Sequence, residues 1–270
     1  MNSYIELSIV SEDQRLTELL IARLSEHGYD GFLEEEGYLK AYINEASYDP
    51  SVPESMAREL YFSFTTSTIM EENWNAIWES SFDPVIVDNY VAVRADFHRS
   101  TKNVEYEIVI TPKMSFGTGH HATTYLMIRE MRHWDWRNKV VLDFGTGTGI
   151  LAILAAKSGA AHVLAIDNDP WSIENSRENL ARNDVKGIEL LLSEEIPPRK
   201  SFDLILANIN RHILVEHAEN LLNSLKTGGT LVISGILRDD QDHILAAFSQ
   251  FGKPIRTEVK NNWLLMAFIK

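Results

Sequence analysis

Residues 140–149 read Val140-Val141-Leu142-Asp143-Phe144-Gly145-Thr146-Gly147-Thr148-Gly149. An apolar run leads in, and a helical apolar stretch, Ile150-Leu151-Ala152-Ile153-Leu154-Ala155-Ala156, leads out, so the glycines sit at a strand-to-helix turn. At such a turn free backbone N–H groups and the positive end of a helix dipole meet a ligand, and glycine lets the backbone come close. The spacing Gly145-x-Gly147-x-Gly149 departs from the dinucleotide fingerprint, whose third glycine falls one place later, where this chain has Ile150. The Gly-Lys-Ser/Thr ending of a P-loop is absent as well. Asp143 would repel a pyrophosphate but suits an ammonium or sulfonium centre. S-adenosylmethionine (SAM) carries both cations and no phosphate. SAM is therefore the candidate cofactor, with Asp143, Gly145 and Gly147 as candidate binding residues. The competing reading is an ordinary glycine-rich connection. A NAD-dependent oxidoreductase is disfavoured by the glycine spacing and by Asp143.

Downstream, strands near 139–143, 162–167, 188–192, 203–208 and 230–234 alternate with helices near 149–158, 170–183, 211–225 and 239–250. That order implies a right-handed, doubly wound α/β sheet. Residues 255–259 and 263–269 flank Lys260-Asn261-Asn262 and read as a β-hairpin. A parallel sheet finished by an antiparallel pair is the Rossmann-like arrangement of class I SAM-dependent methyltransferases. Ligands bind such sheets at the carboxyl ends of the strands. Asp167 ends the second strand and is expected to accept hydrogen bonds from both ribose hydroxyls, with a loop or cap role as the alternative. Asp169, directly before Pro170, reads as a helix N-cap. Asn208 ends the fourth strand, and its amide offers two donors and an acceptor without charge. It is a candidate to hold the methionine end of SAM or to orient an incoming amine, and it competes with an N-cap reading. Adenine and glutamine methyltransferases typically carry Asn/Asp-Pro-Pro-Tyr/Phe here. Asn208-Ile209-Asn210 argues against a flat base or amide clamped between proline and an aromatic ring.

Upstream, Phe116-Gly117-Thr118-Gly119-His120-His121-Ala122-Thr123-Thr124 puts small residues and two threonines at a helix start, which suits a lid over a polar ligand. Adjacent histidines in a loop rarely chelate one ion, so no metal is expected. A general base at His120 or His121 lacks a partner residue in the sequence.

Residues 1–69 read as β-α-β-β-α-β, with strands at 4–10, 31–33, 38–43 and 62–68 and helices at 12–26 and 53–60, a ferredoxin-like α+β pattern. Met70, Trp74, Ile77, Trp78 and Ser81 recur at helical spacing, so residues 70–83 are expected to form an amphipathic connector. Residues 84–270 form the second domain, beginning with strands at 85–87, 90–93 and 106–110. The 270 residues are 44% hydrophobic and 24% charged, contain no cysteine and hold no apolar run near the length of a membrane span. A signal-peptide pattern is lacking, so a cytoplasmic protein is expected, without membrane association. The formal charge of −14 disfavours direct nucleic-acid binding and fits a basic protein partner.

The motifs 116–124, 143–152, Asp167-Asn168-Asp169-Pro170, Ala207-Asn208-Ile209 and Ser234-Gly235-Ile236-Leu237, with Trp74-x-x-x-Trp78, Phe82 and Pro84, resemble the PrmA-type ribosomal protein L11 methyltransferases. The likeness spans nearly the whole chain, and its first 70 residues match in pattern more than in letters. The resemblance implies methylation of lysine side chains and of the N-terminal α-amine of a large-subunit ribosomal protein, recognised by the first domain. It implies SAM contacts from Thr124, Gly145, Asp167 and Asn208. Asn208 is also the candidate catalytic residue for orienting the amine, and a monomer is expected. This chain departs from the family at Thr146 and Thr148, often Cys and Ser, at Ala122, often Pro, and at Asn210, often Leu. The rival reading is a SAM-dependent methyltransferase of nucleic acid or a small molecule.

Overall fold

The computed structural model describes residues 3–11, 13–35, 37–70, 83–111, 120–198 and 201–270, which fall into two compact units. The connector expected at 70–83, with Trp74 and Trp78, lies outside the described residues apart from its two ends, and so do residues 116–119 of the upstream loop.

The first unit runs β1 (Ser3–Val10), α1 (Gln14–Glu26), β2 (Gly31–Glu35), β3 (Tyr38–Asn44), α2 (Ser51–Leu60) and β4 (Phe64–Met70). Its antiparallel sheet has the order β2-β3-β1-β4. Alternation decides which face is covered. Ile5, Leu7 and Ile9 of β1 lie opposite Ile43, Ala41 and Leu39 of β3, and all six are buried. Helix α2 starts two residues before the expected Pro53 because the Asp49 carboxylate accepts the Ser51 N–H at 2.9 Å.

The second unit opens with a three-stranded sheet, β5 (Val85–Val87), β6 (Val91–Ala95) and β7 (Tyr106–Ile110). Next come α3 (Ala122–Met131), β8 (Val140–Phe144), α4 (Ile150–Lys157), β9 (His162–Asp167), α5 (Pro170–Arg182), β10 (Ile188–Leu192) and β11 (Phe202–Asn208). The chain finishes with α6 (Arg211–Glu216), α7 (Ala218–Ser224), β12 (Leu225–Leu237), α8 (Gln241–Ala247), β13 (Arg256–Lys260) and β14 (Trp263–Ile269). The order of the seven-stranded sheet is β10-β9-β8-β11-β12-β14-β13. Strands β8 to β12 are mutually parallel, β14 runs antiparallel to β12, and β13 antiparallel to β14. The tail hairpin therefore enters the sheet by its second strand. A two-residue turn closes it, with Asn261 and Asn262 both at positive φ (49° and 64°). Such a turn matches the strand twist, and asparagine tolerates this conformation better than most side chains.

Strand order reverses between β8 and β11, so the carboxyl ends of these two strands mark the place where a ligand crevice opens. On one face Leu142, Phe144, Ile205, Ala207, Leu231 and Ile233 join a core with Leu214 and Leu221 from the helices and Phe248 at the C-cap of α8. On the other face α3 packs over β11, β12 and β14. The helix expected at 211–225 is two helices, α6 and α7. They part at His217, whose ring meets Phe144 with centroids 5.0 Å apart. Among the described residues no helix is long and apolar enough to cross a membrane.

Candidate active site

The turn after β8 is held by bonds within itself and to β9 and α5. The carboxyl of Asp143 is fully buried. Its Oδ2 accepts from the Thr146 hydroxyl at 2.6 Å and from the Ala152 N–H at 3.2 Å. Oδ1 has no partner among the described residues. Burial outweighs the two hydrogen bonds and pushes this carboxyl up to about 7. The amides of Gly145 and Thr146 both donate to Ile166 O at 2.9 Å. Gly145 has φ +77°, a conformation that costs an L side chain roughly 1–2 kcal/mol, and a Cβ there would strike Ile209 Cγ2.

Asp167, at the end of β9, is partly buried. Its Oδ2 accepts the Gly147 N–H at 2.8 Å and its Oδ1 the Asp169 N–H at 3.0 Å. Desolvation raises its pKa, and the backbone N–H bonds oppose that rise. The structure thus brings Asp167 against the glycine turn, where its carboxyl braces the Gly147 amide. Asp169 caps α5, accepting from the Trp171 and Ser172 amides at 3.0 and 3.1 Å, in agreement with the sequence.

The turn after β11 is built differently. Leu206 lies level with Asp143 in the register, and Asn208 is two residues further, so Asp143 and Asn208 share a face of the sheet. Helix α3 covers that face, and the buried Thr124 accepts from Asn208 Nδ2 at 3.4 Å. Asn208 Oδ1 is buried with no partner among the described residues. The N-cap of α6 is Asn210, without a side-chain cap bond, so the capping alternative for Asn208 does not hold. Instead the amide is a neutral acceptor at a strand end.

Thr124 stands in the first turn of α3, whose N-cap is His121. The Nδ1 of His121 lies 2.8 Å from the Thr123 hydroxyl and accepts the Thr123 N–H at 3.4 Å. Its ring packs edge-on against Trp263 with centroids 4.5 Å apart. Desolvation lowers its pKa to about 4, which makes it a neutral cap at pH 7 and a weak base. His120 Nε2 lies 2.9 Å from Asp83 O.

Sequence reasoning missed a buried asparagine row on α5 and its C-cap, Asn183. Asn179 donates to Thr148 O at 2.8 Å and accepts the Thr111 N–H at 2.7 Å. Asn183 bonds both backbone groups of Val109, and Ser176 donates to Gly147 O at 2.7 Å. The row ties the glycine turn to β7 and the residue that follows it. The signal was present: Asn175, Asn179 and Asn183 recur every four residues in a helix, although asparagine is a weak helix former.

These residues fit SAM. Acidic side chains at two strand ends suit a cationic, ribose-bearing ligand and oppose a pyrophosphate, and Asp143 Oδ1 and Asn208 Oδ1, on one sheet face, are buried acceptors with no partner among the described residues. The family model of the ribosomal protein L11 methyltransferases (PrmA) matches residues 5–270. The chain belongs to the PrmA family. The ribosomal protein L11 methyltransferase of Phocaeicola vulgatus is 34% identical, with 98% of this chain and 99% of that protein covered. The same-named protein of Porphyromonas gingivalis is 38% identical over 93% of this chain and 90% of its own length. The crystal structure of a ribosomal protein L11 methylase from Lactobacillus delbrueckii subsp. bulgaricus covers 70% of this chain and 99% of its own, with 29% identity and a TM-score of 0.64. As a PrmA-family member this chain is a class I SAM-dependent methyltransferase.

Three of the four positions that depart from the family pattern have physical readings. Thr146 supplies the hydroxyl that anchors Asp143. Ala122 occupies the first helical position of α3, where proline is favoured but not required. Asn210 takes the N-cap position of α6.

Proposed function

We propose that this chain transfers methyl groups from SAM to amino groups, lysine side chains and an N-terminal α-amine, of ribosomal protein L11. The observation that carries the acceptor chemistry is the buried amide oxygen of Asn208, which has no partner among the described residues and lies on the sheet face shared with Asp143. Bound SAM supplies an electrophilic methyl on a sulfonium sulfur. A lysine amine has a pKa of about 10.4 and must shed a proton before it can attack. Desolvation at the strand ends lowers that pKa, so no dedicated base is required. Asn208 Oδ1 accepts an N–H of the neutral amine and directs its lone pair, while Thr124, Asp143, Gly145, Gly147 and Asp167 hold the cofactor. Much of the rate then comes from positioning. A methylated amine can still lose a proton, so repeated methylation follows the same route.

Charge supports a basic protein partner and a division of labour. Residues 1–82 hold 16 acidic and 4 basic side chains, a formal −12 of the chain's −14, whereas residues 83–270 hold 23 acidic and 21 basic ones. We assign recognition of the basic substrate to residues 1–69, whose element order and sheet order support the ferredoxin-like reading, with 70–83 as connector and 84–270 as the transferase domain. The proposed enzyme is a cytoplasmic monomer that makes no direct contact with nucleic acid. The test is mass spectrometry of ribosomal protein L11 and of ribosomal RNA after incubation with enzyme and SAM. Methyl increments on lysines and the N-terminus of the protein are expected; methyl transfer into RNA alone would overturn the assignment. Raising the salt should raise KM for the protein substrate and leave SAM affinity nearly unchanged, since screening acts on the acidic unit.

A further inference from the structure

Strand β12 carries an irregularity that the chemistry above leaves without a purpose. Its pairing with β14 slips between Ile233 and Ile236: Ile233 lies opposite Met266 and Ile236 opposite Leu264, so three steps on β12 match two on β14. The extra residue is a β-bulge at Ser234-Gly235, and Gly235 has φ +87°. Ser234 is fully buried, and its hydroxyl donates to Leu264 O at 2.9 Å, which pins the bulge to β14. On the other side Ser234 is the register partner of Asn208, and Ser234 O accepts the Ile209 N–H at 3.2 Å.

The bulge leaves space for one thing. A Cβ on Gly235 would collide with the carbonyl oxygen of Ile209, with its carbonyl carbon and amide nitrogen at only 2.8 and 2.9 Å. These are backbone atoms and cannot rotate away. The side chain of Ile209 fills the space above Gly145, where a Cβ would strike its Cγ2. Residue 209 is thus seated between two glycines, one in the cofactor turn and one in the bulge. Asn208 is the residue immediately before it.

We infer that Gly235 is a positioning residue for methyl transfer: its bulge seats the Asn208–Ile209 peptide against the glycine turn and so fixes the distance between the Asn208 amide and the cofactor. The inference rests on the reading that Asn208 orients the acceptor amine. Because an error near 1 Å in such a contact can cost about 100-fold in rate, the seat matters.

The test uses the full-length enzyme with SAM and ribosomal protein L11. In Gly235→Ala, kcat should fall about 100-fold while SAM affinity by calorimetry changes less than about threefold and the circular dichroism spectrum is retained. A folded Gly235→Ala with kcat within about threefold of the parent would overturn the inference. Should Gly235→Ala fail to fold, the other side of the seat carries the test. Gly145→Ala displaces Ile209, and adding Ile209→Ala vacates the space its methyl needs, so the double variant should regain about tenfold in kcat over Gly145→Ala. No recovery would sink the clamp. Asn208→Ala separates the two claims: if it is as active as the parent, the amine reading fails and this inference with it. If Asn208→Ala is impaired while a folded Gly235→Ala is not, the positioning role alone fails.

Discussion

The turns that follow β8 and β11 leave neighbouring parallel strands, and the protein finishes them differently. After β8 the polar groups are met by partners within the turn and on β9 and α5, with the buried Asp143 Oδ1 as the exception among the described residues. Asp143 binds Thr146 and Ala152, Gly147 N–H goes to Asp167, and Gly147 O and Thr148 O receive Ser176 and Asn179. After β11 the Asn208 amide has one long contact, to Thr124, and a buried oxygen with no partner among the described residues. Leaving such a group unmet costs roughly 1–3 kcal/mol. The difference fits the proposed roles of the two turns. The turn after β8, proposed to hold the donor, is braced by β9 and α5, whereas the strand end at Asn208, proposed to meet the acceptor, has one long contact and an unmet oxygen that an amine N–H can satisfy.

The largest expected effect breaks that contrast at its weaker end. Asn208→Ala should lower kcat about 100-fold while changing SAM affinity far less, because it removes an interaction made to the acceptor. Single-turnover methylation measured alongside SAM calorimetry separates the two quantities. Equal losses in both would place Asn208 on the donor side and erase the distinction between the turns.

Next in size is Asp167→Ala, which should weaken SAM binding by about 10- to 100-fold, the range expected for hydrogen bonds to a charged group. Two effects combine there, since the same carboxylate also holds the Gly147 N–H. Asp167→Asn keeps an oxygen for Gly147 but loses the charge, so it should bind SAM better than Asp167→Ala. Unchanged calorimetric affinity in Asp167→Ala would remove the ribose assignment.

Much of this was legible in the sequence because it is local. Period-two and helical spacings mark the alternation from β8 to β12, Asp169-Pro170 marks a helix start, and polar residues ending apolar strands mark Asp167 and Asn208. What stayed hidden depends on pairing at a distance. Ser234-Gly235 stands in plain view, but its bulge exists only against Leu264 and Met266. The same holds for Asn179, whose partners lie 31 and 68 residues away. The break at His217 within the expected 211–225 helix also has no mark in the local spacing, where the ring of Phe144 meets His217 from another strand.

The smallest expected effect probes the donor turn's one buried charge site. Asp143 titrates near pH 7 in the folded protein against an ordinary value of 3.8, because burial penalises its ionised form. The sign follows from which state gives up its proton first. Below about pH 4 both folded and unfolded chains hold it, and Asp143 costs nothing. Between about pH 4 and pH 7 the unfolded chain loses the proton that the folded chain keeps, so stability falls as pH rises, and above that window the cost is constant. Asp143→Asn retains an oxygen for Thr146 and Ala152 and abolishes the titration. The difference in unfolding free energy should therefore move in favour of Asp143→Asn by at most about 1.4 kcal/mol per pH unit inside the window and stay level outside it. Urea unfolding of both proteins without SAM, from about pH 4 to pH 8, measures that slope. A difference that does not change with pH would mean that Asp143 ionises normally. The donor turn would then hold a ready-made counter-charge for a sulfonium or ammonium centre. With the slope present, the turn stores a protonated acid that a bound cation must first ionise, and SAM affinity should strengthen as pH rises toward 7 in the parent and stay flatter in Asp143→Asn.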